Sequence, residues 1–287
     1  MCGAEKDRFK FLGYRLNRAQ GLRPAKKEGV KTKIFRCRRC GIVFPDPMPV
    51  PVNLDFHYNI SPADYWDNDY LNDNEAASVF VNHIKDVLEY RPGLKALDVG
   101  SGFGQYLRAM LNSGFDAYGI EPSTRFCQYA CENGIPKDRI FQVAVEDAVL
   151  ENNSFDFIFL GAILEHVINP SETLKKCVSW LKQDGLIYVQ VPSSSWLTAS
   201  IMNTYYRIIG TRFIANLSPM HPPYHLFEFS LASFRANGII NNYAVKHFEY
   251  AVCQTYFPKF LDGLIKPLMR FTNTGMEIYV WLKKGEK

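Results

Sequence analysis

The chain has 287 residues, 47% of them hydrophobic and 22% charged, with a formal net charge of +4. That is ordinary for a globular protein with a real core, and long enough for one large α/β domain or one such domain plus a small appendage. No apolar run approaches a bilayer span, the start MCGAEKDRFK lacks the apolar stretch of a secretory signal, and seven cysteines without such a signal suit reduced thiols in the cytoplasm better than a disulfide framework.

In chain order, residues 1–52 come first, as a basic segment with no internal repeat. Residues 1–50 carry 13 Lys/Arg against 4 Asp/Glu, a balance of +9, which leaves −5 for the rest. Such an excess suits a phosphate-bearing partner or a solvated lead-in. The segment ends in the proline cluster FPDPMPVPV, which favours extended chain. Within it, FRCRRCG sets Cys37 and Cys40 in a C-x-x-C, half of a tetrahedral four-ligand zinc site. Cys2 offers a third thiol, so the set is incomplete. His57 could supply a fourth ligand, but beside so many aromatic residues it reads better as a packed or substrate-facing side chain. Residues 53–92 hold that aromatic crowd, with Tyr65 and Trp66 as lid candidates, and then Phe80, Ile84, Val87 and Leu88 at helical spacing.

From residue 93 the chain alternates. KALDV, DAYGI, RIFQVAV, FDFIFL and GLIYVQV read as strands, and QYLRAMLNSG, STRFCQYACENG and INPSETLKKCVSWL as helices. Short apolar strands alternating with helices predict parallel pairing with right-handed crossovers. Cys127 and Cys131, four apart on a helix, fit a core stripe. Residues 193–220 read as an insertion. NNYAVKHFEYAV and MEIYVWLKK are two further strands. The amphipathic FLDGLIKPLMRF between them could touch a membrane surface, but Pro267 and Asp262 favour a core-covering helix.

The turn after the first of these strands carries the chemistry. In LDVGSGFG, Gly100, Gly102 and Gly104 permit a sharp turn and close backbone approach to a ligand. A dinucleotide loop wants its third glycine where Gln105 stands, and its pyrophosphate would be repelled by Asp98. The next strand ends at Glu121, about 20 residues on, where a carboxylate can accept from both ribose hydroxyls. A ribose and a positive charge without phosphate suggest S-adenosylmethionine.

Together with GIEPS, VAVEDAVLENNSFDFIF, LEHVINP, LKQDGLIYVQVPSS and HPPYHLFEFSLASFRANGI, this loop makes the chain resemble a class I S-adenosylmethionine-dependent methyltransferase over about residues 95–240. It is most similar to a branch with an N-terminal zinc-knuckle-like segment that acts on sugars and natural products. The resemblance implies a Rossmann-like, seven-stranded α/β sheet, mostly parallel with a C-terminal antiparallel hairpin, in residues 93–287, with a small N-terminal appendage. It also implies that Gly100, Ser101, Gly102 and Gly104 line the methionine part and that Asp98 orients its ammonium. Glu121 would hold the ribose with Pro122 nearby, and the stretch around Val145 and Glu146 would border adenine. Leu160 and Gly161 would meet the cofactor's amino acid end. Gly104 could instead serve helix–strand packing, and Glu146 could be a solvated surface acid.

Methyl transfer needs an aligned acceptor and, for a hydroxyl or carbon acid, a base. His225 is the first candidate for base or substrate-orienting residue, with Tyr224 and His221 behind it. His166 could serve, or could brace its helix. The acceptor expected is a small molecule (a sugar, nucleotide-sugar or surface-glycan precursor, possibly phosphate-bearing), methylated at oxygen or carbon. An RNA methyltransferase using the basic N-terminus and a non-catalytic cofactor-binding scaffold are the alternatives; no NPPY-type motif for base amines follows the fourth strand.

Overall fold

The computed structural model describes residues 1–51, 74–253 and 255–286. The lid candidates Tyr65 and Trp66, and His57, lie outside the described residues.

Three short strands open the chain: β1 (Phe9–Leu16), β2 (Lys31–Cys37) and β3 (Val43–Pro45). They pair antiparallel in the order β1-β2-β3, with Arg15 opposite Thr32 and Arg36 opposite Val43. The basic segment is therefore a folded sheet, and not a solvated lead-in. Its register puts Ile34 and Val43 on one buried face, where they pack with Ile214 and Leu217. Leu16 packs with Tyr206 and Phe213 in a second cluster.

Helix α1 (Asn74–Val87) leads into the alternation β4 (Lys95–Val99), α2 (Gln105–Asn112), β5 (Asp116–Ile120), α3 (Thr124–Glu132), β6 (Ile140–Phe141), β7 (Phe155–Gly161), α4 (Pro170–Trp180) and β8 (Leu181–Pro192). Then follow α5 (Leu197–Ile208), inside the expected insertion, α6 (Leu231–Asn241), β9 (Tyr243–Ala251), α7 (Asp262–Phe271) and β10 (Glu277–Lys284). The main sheet has the order β6-β5-β4-β7-β8-β10-β9, and its C-terminal strands are antiparallel. β4 is parallel to both β5 and β7, with Asp98 opposite Gly119 on one side and Phe159 on the other. The strand order reverses at β4, so its carboxyl end is the switch point where open α/β sheets bind ligands. Residues 96–99 of β4 are all buried, as expected of a strand covered on both faces.

Two expectations change. The run RIFQVAV forms only the two-residue edge strand β6, because Val143 N–H turns back to the Phe141 carbonyl at 2.9 Å and residues 144–148 curl into a turn. Helix α7 covers the core only through Met269, with Ile265 partly buried, while Leu264, Leu268 and Phe271 are exposed. Among the described residues no helix is long and apolar enough to cross a membrane.

The chain groups into two compact units, one of Met1–Val50, Ala162–Ser171 and Gln190–Trp281, the other of Pro51–Gly161, Glu172–Val189 and Leu282–Lys287.

Candidate functional site

The glycine loop lies in the second unit. Gly100, Gly102 and Gly104 all have positive φ, at 73°, 54° and 81°, a region that residues with a Cβ enter at a cost. The N–H groups of Gly100 and Ser101 both donate to the Ile120 carbonyl, at 2.8 and 3.0 Å, so the loop is strapped to the end of β5. Gly119 makes this possible: a Cβ there would stand 2.7 Å from Ser101 Oγ. Gly104 begins α2 against Ala130 and Ile135, and an added Cβ would strike the Ile135 side chain. Its bareness thus serves packing as well as the turn.

Two carboxylates close the loop. Glu121 is buried and accepts from Gly102 N–H at 2.9 Å and from Ser123 N–H at 2.8 Å. Burial pushes it up to about 7, against the pull of those two N–H groups. Asp98 is only 3% exposed, and its Oδ2 has no hydrogen-bond partner. Burial, and then the charge of Glu121, push Asp98 up to about 7. Ser101 Oγ is likewise buried without a partner. Two sealed acids, the charge of one raising the other, beside an unsatisfied hydroxyl and bare backbone, suit a ligand with a cationic donor end and a diol, and repel a pyrophosphate. The residues therefore fit S-adenosylmethionine.

A second polar group lies in the first unit. The segment after β7 turns at Ile163–His166, with His166 N–H donating to the Ile163 carbonyl at 3.0 Å, and Leu226 N–H donates to the Glu165 carbonyl at 2.7 Å. This brings Glu165, His166 and His225 together, their donor atoms within 4.8 Å of one another. His225 Nε2 stands 4.0 Å from Glu165 Oε1, and the rings of His166 and His225 meet edge to face at 5.0 Å. Glu165 is 1% exposed with Oε2 unpartnered. Burial pushes Glu165 up to about 8 and His225 down to about 4. Both are therefore uncharged near neutral pH, with the proton on the acid and His225 able to receive one. Tyr224 is held at φ 61°, and Ala162, at the end of β7, at φ 52°. Residues other than glycine and asparagine in this region store strain of about 1–3 kcal/mol, and such strain clusters at functional loops.

Residues 97–189 match the family model described as "Methyltransferase domain". Over that stretch the chain is similar to a methyltransferase domain, and the match begins on the strand that carries Asp98 and the glycine loop. The ubiquinone biosynthesis O-methyltransferase of Photobacterium profundum is 29% identical over 48% of this chain and 59% of its own length. That of Actinobacillus pleuropneumoniae is 30% identical over 44% of this chain and 56% of its own. The chain thus spans somewhat more than half the length of these curated relatives. Among solved structures, a chain of the complex between the Haloferax volcanii Trm112 methyltransferase activator and a methyltransferase aligns with TM-score 0.55 at 16% identity, covering 83% of this chain and 99% of that one. YcgJ of Bacillus subtilis aligns with TM-score 0.51 at 16% identity, covering 74% and 100%. These likenesses show the methyltransferase fold.

The other expected residues fall as follows. Leu160 is fully buried, and Gly161 is half-buried beside the Phe159 ring. Val145 is buried and Glu146 exposed. Their turn is held by Lys176, whose Nζ donates to the carbonyls of Val145 at 3.3 Å and Ala148 at 3.2 Å and also to that of Glu146. Pro122 is half-buried next to Glu121.

His221 has its ring committed. Its Nδ1 lies 2.8 Å from the Pro222 carbonyl, which can only accept, so Nδ1 carries the proton. Nε2 then turns its lone pair toward Arg15 Nη2 at 3.4 Å. Burial lowers His221 below its ordinary value. Sequence reasoning named the histidines here and missed Glu165, although the signal was adjacent: an acid next to His166 in LEHV.

The three cysteines of the N-terminal segment, residues 1–50, converge. Cys2, Cys37 and Cys40 are buried with their Sγ atoms within 4.8 Å of one another, and Cys2 lies 3.6 Å from Cys37. Gly41, at φ 75°, turns the chain after the C-x-x-C, with its N–H on the Cys37 carbonyl at 2.9 Å. Burial raises Cys40 to about 12. For Cys37, burial is outweighed by the N–H groups of Cys40 and Arg39, so its thiol falls below the ordinary value. Three converging thiols, one of them acidified, form a donor set that fits three positions of a tetrahedral zinc.

Proposed function

We propose that the protein transfers a methyl group from S-adenosylmethionine to a small molecule, at oxygen or carbon, with a sugar, nucleotide-sugar or related natural product as the acceptor class. The buried Asp98 carboxylate, with its Oδ2 unpartnered beside the bare glycine loop, carries this reading. S-adenosylmethionine, when bound, supplies a sulfonium methyl that transfers without further activation. Asp98 and Ser101 would hold its ammonium end, Glu121 its ribose hydroxyls, and Val145 and Glu146 the rim of its adenine. On the acceptor side, His225 would take the hydroxyl proton at Nε2, and Glu165, once ionised, would stabilise the resulting imidazolium and fix its ring. Tyr224 and His166 would orient the acceptor and the His225 ring. The relatives named as O-methyltransferases support oxygen as the acceptor atom.

Calorimetry with adenosylhomocysteine and NADH tests the cofactor half: tight uptake of the first and silence toward the second are expected. Transfer of labelled methyl to a nucleotide-sugar and phenol panel, against an RNA pool, tests the other half. Labelled RNA would reverse the acceptor assignment.

We infer further that Cys2, Cys37 and Cys40 hold a structural zinc. Metal analysis of protein purified without chelator should give close to one zinc per chain, and Cys37→Ser should lose it. Metal-free protein of unchanged thermal stability would dismiss the zinc.

A further inference from the structure

The inner face of the N-terminal sheet carries a charge that none of the roles above uses. Residues opposite one another across a strand pair point to the same side, and alternate residues share a face. Arg15, opposite Thr32, therefore shares a face with Ile34 and Arg36. Ile34 packs on Ile214 and Leu217, and Thr32 Oγ1 contacts Met220 Sδ at 2.9 Å, so this face covers the segment that holds His221.

Arg15 is only 7% exposed. Its Nη1 donates to the Ile214 carbonyl at 3.2 Å, its Nη2 faces the His221 lone pair at 3.4 Å, and its Nε has no partner. Nε and Nη2 form one edge of the guanidinium, the edge that grips a carboxylate or phosphate through two parallel N–H···O bonds. In Arg15 this edge holds an unpartnered donor and one long contact to a neutral ring. Burial lowers Arg15 to about 10, which leaves it cationic at neutral pH. Among the described residues no carboxylate lies within 4.0 Å of it. The buried acid that feels its charge is Glu228, which also feels Arg36 and whose Oε1 already accepts from Leu217 N–H at 2.9 Å. Arg36 Nε is unpartnered as well. Arg36 is half-buried and its Nη2 donates to the Ser194 carbonyl at 2.6 Å, so the buried guanidinium that shares Glu228 without a carboxylate of its own is Arg15. An uncompensated buried cation is costly unless a ligand completes it.

We propose that the Nε/Nη2 edge of Arg15, with His221 as its displaceable cover, binds an anionic group of the acceptor, a carboxylate or a phosphate. The proposal rests on the reading of the protein as a small-molecule methyltransferase and narrows it to an anionic acceptor. His221 is then the ring that gives up Nη2 when the anion arrives, which accounts for its lack of a vacant lone pair for base catalysis. The adjoining strained turn at Tyr224 places this cover on a segment held out of its relaxed conformation.

The test is titration of the full chain with inorganic phosphate and, separately, acetate in a zwitterionic buffer, with the His221 ring followed by 1H–15N NMR. A saturable shift of the His221 signals in the millimolar range and a rise of its pKa are expected, since a nearby anion favours the imidazolium. Arg15→Gln should weaken the response by about tenfold or more, and Arg15→Lys, which keeps the charge without the fork, should lose most of it. Response to phosphate alone assigns a phosphate-bearing acceptor; response to acetate alone assigns a carboxylate. No His221 response to either anion in the wild-type protein overturns the proposal, and this arm needs no variant to fold. An undiminished response in folded Arg15→Gln overturns it equally. Adenosylhomocysteine binding, measured on the same samples, separates the two readings. Anion binding without it would sink the methyltransferase and keep the site, and the reverse would sink the site alone.

Discussion

A carboxylate sealed in an apolar interior keeps its proton unless a cation joins it, and Asp98 at 3% exposure is such a group. Asp98→Asn should therefore cost cofactor affinity without costing fold. A lost charge-assisted contact is worth about 1.5–3 kcal/mol, so adenosylhomocysteine binding should weaken roughly 10- to 150-fold by calorimetry, with a melting temperature at pH 8 no lower than wild type. An unchanged affinity would take the ammonium away from Asp98. Glu165 gives a second test at this scale. His225, lowered to about 4, is unprotonated across the working range, whereas Glu165, raised to about 8, ionises only at the alkaline end. On an acceptor identified by label transfer, the rate should climb from pH 6 to 9 with an apparent pKa near 8. Glu165→Gln should abolish that climb and be slower by about 10- to 100-fold at pH 9. A Glu165→Gln profile that superimposes on wild type would leave the acid a packing residue. Asp98 and Glu121 were legible in the sequence because both stand at strand ends where a ligand is the natural partner. Glu165 left a partial signal in its neighbour His166, but its approach to His225, some 60 positions on, was not legible; nor was Arg15, whose significance comes from burial and from His221, some 200 positions away.

Among the elements, the loop from β4 to α2 was legible in the residue order alone, because only glycine turns so sharply at a strand end. The packing role of Gly104 was legible as an alternative to the turn, and in the structure the residue serves both. At φ 81° and against Ile135, it answers to both the turn and the packing of α3. Gly104→Ala should lower stability by about 1–3 kcal/mol in urea unfolding, through backbone strain and overpacking together. A loss below half a kilocalorie would mean that Ile135 yields easily. The N-terminal sheet escaped the sequence reading for a different reason. FKFLGYRL and KTKIFRC mix charges into short strands, and the apolar side is completed by residues near 214, so no local pattern announces a buried face.

Over the whole molecule, buried acids set the response to pH. Asp98, Glu121 and Glu228 are raised to about 7 and Glu165 to about 8, from ordinary values of 3.8 to 4.5. The folded protein consequently binds more protons than the unfolded chain between these limits, and stability is lost as pH rises through them. The melting temperature should be highest near pH 5 and fall toward pH 8, and adenosylhomocysteine should recover part of the loss by completing Asp98. A melting temperature that increases over that interval would show these acids ionised in the fold. The alternation of strands and helices foretold the sheet at this scale, but it could not foretell that the chain enters the first unit three separate times. That threading has an engineering consequence. No single splice can graft the histidine-bearing unit onto another cofactor-binding half. A working chimaera must carry Met1–Val50, Ala162–Ser171 and Gln190–Trp281 together, and recombination libraries with one crossover should yield mostly insoluble progeny.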